Sequence, residues 1–288
     1  MRLCTTGILS VLIALSVAAS ASARDVGKIA KAHGYGAIAD QLVAAARPTE
    51  FFRPAGAGRM PGVLGTSRLG GDPDLPAGVK WPRCKGKPQS FLAQVRVSDL
   101  PRGAGELRRV GGTLLFFTWV EFEEGETEYG MWAGDCSAVL HVPSGTRLKR
   151  TVAPGSATIM RLEPVKLRFA ERPGVPDFAL DSDHLMPPLS DVKPAGGFDG
   201  WFSFQEALYG KPFVETKLLG YSVAPNGGDA CSARAERPKD TWRHLFTMGP
   251  DDEFGFEVAD AGRLQLLISP ADLRAGRFDR VCGTFDSA

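Results

Sequence analysis

The stretch Thr66–Gln94, TSRLGGDPDLPAGVKWPRCKGKPQSFLAQ, decides how the chain is read. Gly70-Gly71 followed by Asp72-Pro73 is turn chemistry, because glycine supplies φ > 0 and proline fixes φ while removing a donor. Leu75-Pro76, Trp81-Pro82 and Lys87-Pro88 each push the residue before the proline toward extended geometry. The segment reads as a stiff, non-helical strap with Leu75 and Trp81 as inward anchors. At its end Phe91-Leu92-Ala93-Gln94-Val95-Arg96-Val97 turns apolar, with Gln94 and Arg96 interleaved, which predicts a strand.

Toward the N-terminus, Met1–Ala23 has the layout of a cleaved secretory signal. Arg2 supplies a basic start and Ile8–Ala19 a short apolar core, and Ala19-Ser20-Ala21 or Ala21-Ser22-Ala23 gives a small-residue cleavage site. The apolar run is short for a membrane span, no cysteine follows it for a lipid anchor, and Cys4 would leave with the signal. The expected mature domain, residues 24–288, is exported to the periplasm or secreted, with no membrane association after cleavage. Asp25–Ala46 has helical spacing (Val26, Ile29, Ala30, Ile38, Leu42, Val43), with Asp25 as a candidate N-cap and Gly34-Tyr35-Gly36 as a place to break it in two. Ala55-Gly56-Ala57-Gly58 reads as a flexible connection to the strap.

Toward the C-terminus, Asp99–Gly111 reads as a loop and Thr113–Phe122, the most apolar run of the mature chain, as a central strand. The five glutamates of Glu121–Glu128 read as a solvated hairpin end. Tyr129–Trp132 and Ala138–Val142 are further strand candidates. Pro164–Pro194 is proline-rich with poor periodicity, and reads as a long loop or insertion. Trp201–Tyr209 reads as a short helix with Gln205 and Glu206 on its wet side. Ser269-Pro270-Ala271-Asp272-Leu273 reads as a capped helical turn with proline first. A short internal echo links Phe91–Val95 and Gly112-x-Leu114-x-Phe116 to Leu245–Met248 and Gly262-x-Leu264-x-Leu266. Two strand–loop–strand units could pair in one sheet, with coincidence as the alternative.

The chain carries 34 basic and 33 acidic residues. Loss of Met1–Ala23 would remove one basic residue, Arg2, and no acidic one, leaving a formal charge of zero. That balance argues against nucleic acid as the main partner, since phosphate contacts need clustered Lys and Arg. Cys84, Cys136, Cys231 and Cys282 remain in the mature chain, an even number that favours two disulfides in an exported protein and leaves three connectivities open. Cys84–Cys136 with Cys231–Cys282 is preferred, because each bridge then stays within one half of the chain. No C-x-x-C is present for a zinc ribbon or redox site.

The order S-R-L-G-G-D-P-D-L-P, then W-P, then F-L-A-Q-V, then Gly112-Thr113-Leu114-Leu115-Phe116-Phe117 resembles the YwqG-like family of bacterial domains of unknown function. The resemblance returns in Lys217-Leu218-Leu219-Gly220-Tyr221 and in Asp260-Ala261-Gly262-Arg263-Leu264 through Ile268, and leaves Glu121–Glu215 unmatched. It implies an α+β fold with a large mixed β-sheet and brings no established activity. The chain departs from the family where members carry a glutamine in the strand corresponding to His244-Leu245-Phe246-Thr247. It departs again where they carry Gly-Asp-Ala-Gly in place of Ala259-Asp260-Ala261-Gly262.

Motifs of known chemistry are absent. Gly34-Tyr35-Gly36-Ala37-Ile38-Ala39 fits a loose dinucleotide pattern but lies in a helical stretch with no strand before it. Gly65-Thr66-Ser67-Arg68-Leu69-Gly70 misses a nucleophile elbow at Leu69. His33, His141, His184 and His244 lack metal spacing, Asp183-His184 could form half of an acid–base pair but reads first as a surface or loop histidine, and neither Asp181, Asp183 and Asp191 nor Asp251, Asp252 and Glu253 has calcium-loop spacing. No metal or cofactor is implied. Arg68, Trp81, Gln94 and Asp260 are the candidate binding residues. Arginine offers a planar fork, tryptophan a stacking face and glutamine both donor and acceptor. The same residues suit a buried polar network that pins the strap to the sheet, and that reading stands first.

The expectation is therefore a single α+β domain with one large mixed sheet, an N-terminal helix, long loops and a possible duplication. Its expected role is a non-enzymatic binding module for a small ligand or envelope protein. The alternative is an envelope hydrolase built on Arg68, Asp260 and His244.

Overall fold

The structure is a computed structural model that describes residues 21–56, 62–122, 129–155, 160–176, 195–210, 216–222, 231, 242–251, 254, 256 and 262–286. Two helices, α1 (Ala21–Ala32) and α2 (Ala39–Ala45), open it, joined by a 3-10 turn at Gly36–Ile38. The break falls at the glycines, as the spacing predicts. Asp25 lies inside α1 instead of capping it. Strand β1 (Arg47–Pro54) follows, then β2 (Arg68–Leu69), β3 (Asp74–Pro76), β4 (Arg83–Cys84), β5 (Lys87–Pro88), β6 (Ser90–Arg96), helix α3 (Gly105–Val110) and β7 (Thr113–Phe122). The second part runs β8 (Tyr129–Val142), β9 (Leu148–Arg150), β10 (Val165–Gly174), α4 (Gly197–Tyr209), β11 (Lys217–Leu219), β12 (Arg243–Met248), β13 (Arg263–Ile268), α5 (Pro270–Ala275) and β14 (Cys282–Asp286).

Ten strands form one sheet in the order β1-β10-β2-β6-β7-β8-β14-β13-β12-β11, and β11 returns to β1, so the sheet closes into a barrel. The α+β class with one large sheet holds, and each pairing among the described residues is antiparallel. Closure removes the free edges that an open sheet of this size would expose. Thr113–Phe122 is the β7 strand, and the two candidates beyond the glutamates are one continuous strand, β8. Five barrel strands, β1, β2, β10, β11 and β14, escape the sequence reading, and the two longest show why. Arg47–Pro54 carries Phe51 and Phe52 on opposite faces, which hides the alternation. Val165–Gly174 lies in the segment read as a loop, and one proline and three arginine or lysine side chains disguise it. Helix α3 also occupies part of the expected loop at Asp99–Gly111.

Strand alternation sorts side chains into an interior and an outer layer. Phe52, Leu69, Val95, Leu114, Phe116, Leu218, Phe246 and Leu266 fill the barrel, with the Phe116 and Phe246 rings stacked at 4.4 Å. Leu107 of α3, Leu273 of α5 and Phe278 belong to the same cluster and plug one end. Outside, Val26 of α1, Leu42 of α2 and Trp201 and Phe204 of α4 cover Phe51 of β1. Gln205 lies under this layer, buried instead of wet. On the other flank Leu75, Phe91, Leu115, Phe117 and Val142 form a second outer cluster beneath the strap. Leu75 is an inward anchor, as expected, and Trp81 packs at the cluster's margin.

The internal echo is structural. Strand β6 pairs with β7 through a register shift between Phe91 and Ala93, and β12 pairs with β13 through a shift between His244 and Phe246. Ser269 caps α5, its side chain accepting from the Asp272 N–H at 3.0 Å, with Pro270 in the first position. Two disulfides, Cys84–Cys136 and Cys231–Cys282, join the preferred pairs, which indicates an environment outside the reducing cytoplasm. Among the described residues no helix is long and apolar enough to cross a membrane.

Candidate functional site

The strap is fastened to the outer face of the barrel by one charge cluster. Arg68 on β2 stands opposite Gln94 on β6. After β2, Gly70 and Gly71 adopt φ of 63° and 68°, a left-handed pair that turns the chain back over the sheet. A side chain at Gly70 would strike the Glu163 carbonyl. The turn brings Asp74, first residue of β3, down onto the Arg68–Gln94 pair. Its Oδ2 accepts from Arg68 Nη1 at 2.9 Å, Gln94 Nε2 at 3.0 Å and the Gly65 N–H at 2.8 Å. Its Oδ1 accepts from Arg150 Nε at 2.5 Å, from the neighbouring strand β9. Gln94 also accepts from the Asp74 N–H at 2.9 Å and donates to the Thr66 carbonyl at 3.0 Å. Arg68 Nη2 donates to the Asp72 carbonyl.

Arg68, Asp74 and Gln94 are all buried, at 1 %, 0 % and 0 % exposure. Burial alone would raise the Asp74 carboxyl, but hydrogen bonds from Arg68, Arg150, Gln94 and the Gly65 N–H outweigh it and hold the group down at about 2. The carboxylate is charged at neutral pH and surrounded by donors. Both carboxylate oxygens are therefore taken up inside the cluster, while Arg68 Nε and Arg150 Nη2 are buried without a hydrogen-bond partner.

Of the four candidate binding residues, the structure brings together Arg68 and Gln94. Trp81 sits elsewhere on the strap, its indole N–H donating to the Gln89 carbonyl at 2.8 Å and its ring edge-on to Phe117 at 5.6 Å. Asp260 lies outside the described residues, as do Asp181, Asp183, His184 and Asp191. The residue that sequence reasoning passed over is Asp74, the centre of the cluster. The signal available was its place in Asp72-Pro73-Asp74, between two turns and one strand from a buried arginine.

His244 occupies the second half. Its Nδ1 meets the Leu219 carbonyl at 2.6 Å and its Nε2 the Thr247 hydroxyl at 2.6 Å. Burial first, and Lys217 second, push the imidazole down to about 3, so it is neutral. Around the ring of strands, β10, β1 and β11 separate β2 from β12. Arg68 and His244 do not converge.

An open cleft of about 370 Å³ lies beside the charge cluster, between the end of β6, α3, and the turn after β8. Gly65 belongs to both places, as a donor to Asp74 and as part of the cleft wall. Arg96, Arg108, Ser98, Ser144 and Thr146 line it together with the backbone of Gly111 and Gly112. Arg96 Nε binds Asp99 Oδ1 at 2.9 Å, and Asp99 Oδ2 in turn accepts from Ser67 at 2.7 Å. Arg108 is held against the Leu100 carbonyl. The two guanidiniums are oriented by these contacts and still border open space. Such a wall can receive an anionic or polar group.

No curated protein matches the chain. Residues 67–287 match the family described as a domain of unknown function, DUF1963; that span holds the strap, its charge cluster and the barrel strands from β2 onward, and the chain belongs to that family.

Proposed function

We propose that the protein is an exported, non-enzymatic binding module of the cell envelope, and that its ligand is a small anion received in the cleft bordered by Arg96 and Arg108. The observation that carries this reading is the contrast between the two polar places on the strap side. The Asp74 carboxylate has both oxygens taken up by donors of its own cluster, whereas the adjoining cleft is bordered by two exposed guanidiniums, each held by a neighbouring group. Export rests on the signal-like Met1–Ala23 and on the two disulfides. The finer affiliation with the YwqG-like group rests on the quoted motifs. The hydrolase reading draws no support from His244, whose two ring nitrogens are both engaged.

The experiment is native mass spectrometry of the full chain purified from an oxidising compartment, with inorganic phosphate and a panel of small carboxylates as probes. One-to-one adducts that disappear in the Arg96→Ala, Arg108→Ala double variant, with its fold intact by circular dichroism, are expected. Adducts of equal strength in both proteins would reject the cleft. Signal processing is checked separately by the N-terminal sequence of the exported product, which is expected to begin near residue 24.

A further inference from the structure

At the plugged end of the barrel, the inward face of β1 carries a carboxyl. Glu50 lies on the same face as Phe52, which fills the interior, while Phe51 between them points to the helices outside. Glu50 is 0 % exposed, and neither carboxylate oxygen has a hydrogen-bond partner. Its neighbour on β11 is Leu218, an interior side chain that offers nothing polar. Its neighbour on β10, directly opposite, is a second carboxylic acid, Glu171. A buried acid facing another acid across a ladder is costly in ionised form and tolerable in neutral form.

Glu171 is itself attached to the plug. Its Oε2 accepts the Gly103 N–H at 2.9 Å, in the turn that leads into α3. A Cβ at Gly103 would lie 2.5 Å from the Glu171 carboxyl carbon, so the backbone is seated directly on the acid. Helix α3 then delivers Leu107 into the barrel end beside Leu273 of α5. A cavity of about 280 Å³ opens at the same place, walled by Pro48, Gly103, Leu219 and Leu273.

The other charged groups near this end are Arg47, Glu106, Arg243 and Lys217, beside the neutral His244. Arg47 lies 4.3 Å over the Tyr221 ring. Arg243 and Glu106, like Arg47, line the cavity. Lys217 pairs with Phe51, on the opposite face of β11 from Leu218. His244 is bonded to Leu219 and Thr247. Glu171 is the charged group that faces Glu50.

We propose that Glu50 and Glu171 form a proton-operated latch on the barrel end, a site whose ligand is the proton itself. With Glu50 neutral, Glu171 alone carries charge and holds Gly103, and α3 stays seated. When Glu50 releases its proton to solvent, two carboxylates confront each other inside the ladder, the Glu171–Gly103 bond weakens, and the 101–110 segment lifts from the cavity. Burial first, and Glu171 second, push the Glu50 carboxyl up to about 7. A raised carboxyl is harmless below its ordinary value of 4.5 and destabilises progressively as pH climbs to about 7. The latch is closed in mild acid and loosened above neutrality. The segment that lifts carries Arg108, which also lines the cleft by Arg96.

The test is amide hydrogen exchange of the full chain at pH 5.5 and 8.5, corrected for the intrinsic pH dependence of exchange, following peptides over residues 101–110. Protection in the wild-type protein is expected to fall at least tenfold at the higher pH, and Glu50→Gln, neutral at both, is expected to keep it. Equal loss in both proteins would overturn the latch. Should Glu50→Gln not fold, Glu171→Gln provides the same comparison, because its amide oxygen still accepts from Gly103 without a charge. An unchanged pH response in that variant would likewise reject the proposal.

Discussion

In the first half of the barrel, β2 pairs with β6 so that Arg68 faces Gln94; in the second, β11 pairs with β12 so that Lys217 faces Thr247. Each unit has a register shift one step further on, at Phe91/Ala93 and at His244/Phe246. Each short strand ends in two left-handed residues, Gly70 and Gly71 in one, Leu219 and Gly220 in the other. The backbone frame is the same and the polar equipment is not. The first half buries an arginine, an aspartate and a glutamine that are joined by hydrogen bonds. The second places a neutral histidine against a threonine, with Gln265 beside it at 3.5 Å from the Thr247 hydroxyl. Thr247 stands where the first half has Gln94. One half has kept a charged clasp for a strap, and the other has none to hold among the described residues.

If that contrast is real, the largest effect on stability comes from Asp74→Ala. It leaves Arg68 buried and uncompensated, and a loss of about 3–5 kcal/mol in urea unfolding is expected. The disulfides come next and should be the same in the two halves. The loops they close have separations of 52 and 51 residues, so chain entropy gives each roughly 2–4 kcal/mol. Replacing Cys84 and Cys136 by serine, or Cys231 and Cys282, should lower the melting temperature by similar amounts. A clear inequality would mean that the strap depends on its staple more than the frame does. The smallest effect is expected from His244→Leu, which exchanges neutral hydrogen bonds for an apolar side chain at a cost of about 1–2 kcal/mol. A loss matching that of Asp74→Ala would erase the distinction between a charged and a neutral half.

Much of the architecture was legible because it is written in local chemistry. The glycine pair and the prolines define the strap, the apolar run Thr113–Phe122 is a barrel strand, and the even cysteine count with half-by-half pairing matches the bridges. What stayed hidden depends on partners distant in sequence. Strand β10 shows no clean alternation because Arg168 and Arg172 lie on its exposed face and Phe169 and Glu171 on the other. Closure of the sheet needs β11, three residues long, to return to β1, and so short a strand has no periodicity to read. The site followed the same rule. Arg68 and Gln94 stand out by type, and both hydrogen-bond to Asp74. Asp74 reads as one more turn residue until the turn folds it onto them, and Arg150, from a strand 76 positions away, gives no local sign at all.

The central claim is that the Asp74 cluster is a structural clasp and not a ligand site. A double-mutant cycle on Arg68→Met and Asp74→Leu, read by urea unfolding at pH 7, tests it directly. Each single change is expected to be strongly destabilising. The double variant should recover at least about 2 kcal/mol relative to the sum, because it removes both buried charges together. Additive losses, or single variants within about 0.5 kcal/mol of the wild type, would contradict it and return Arg68 to the list of residues free to meet a ligand.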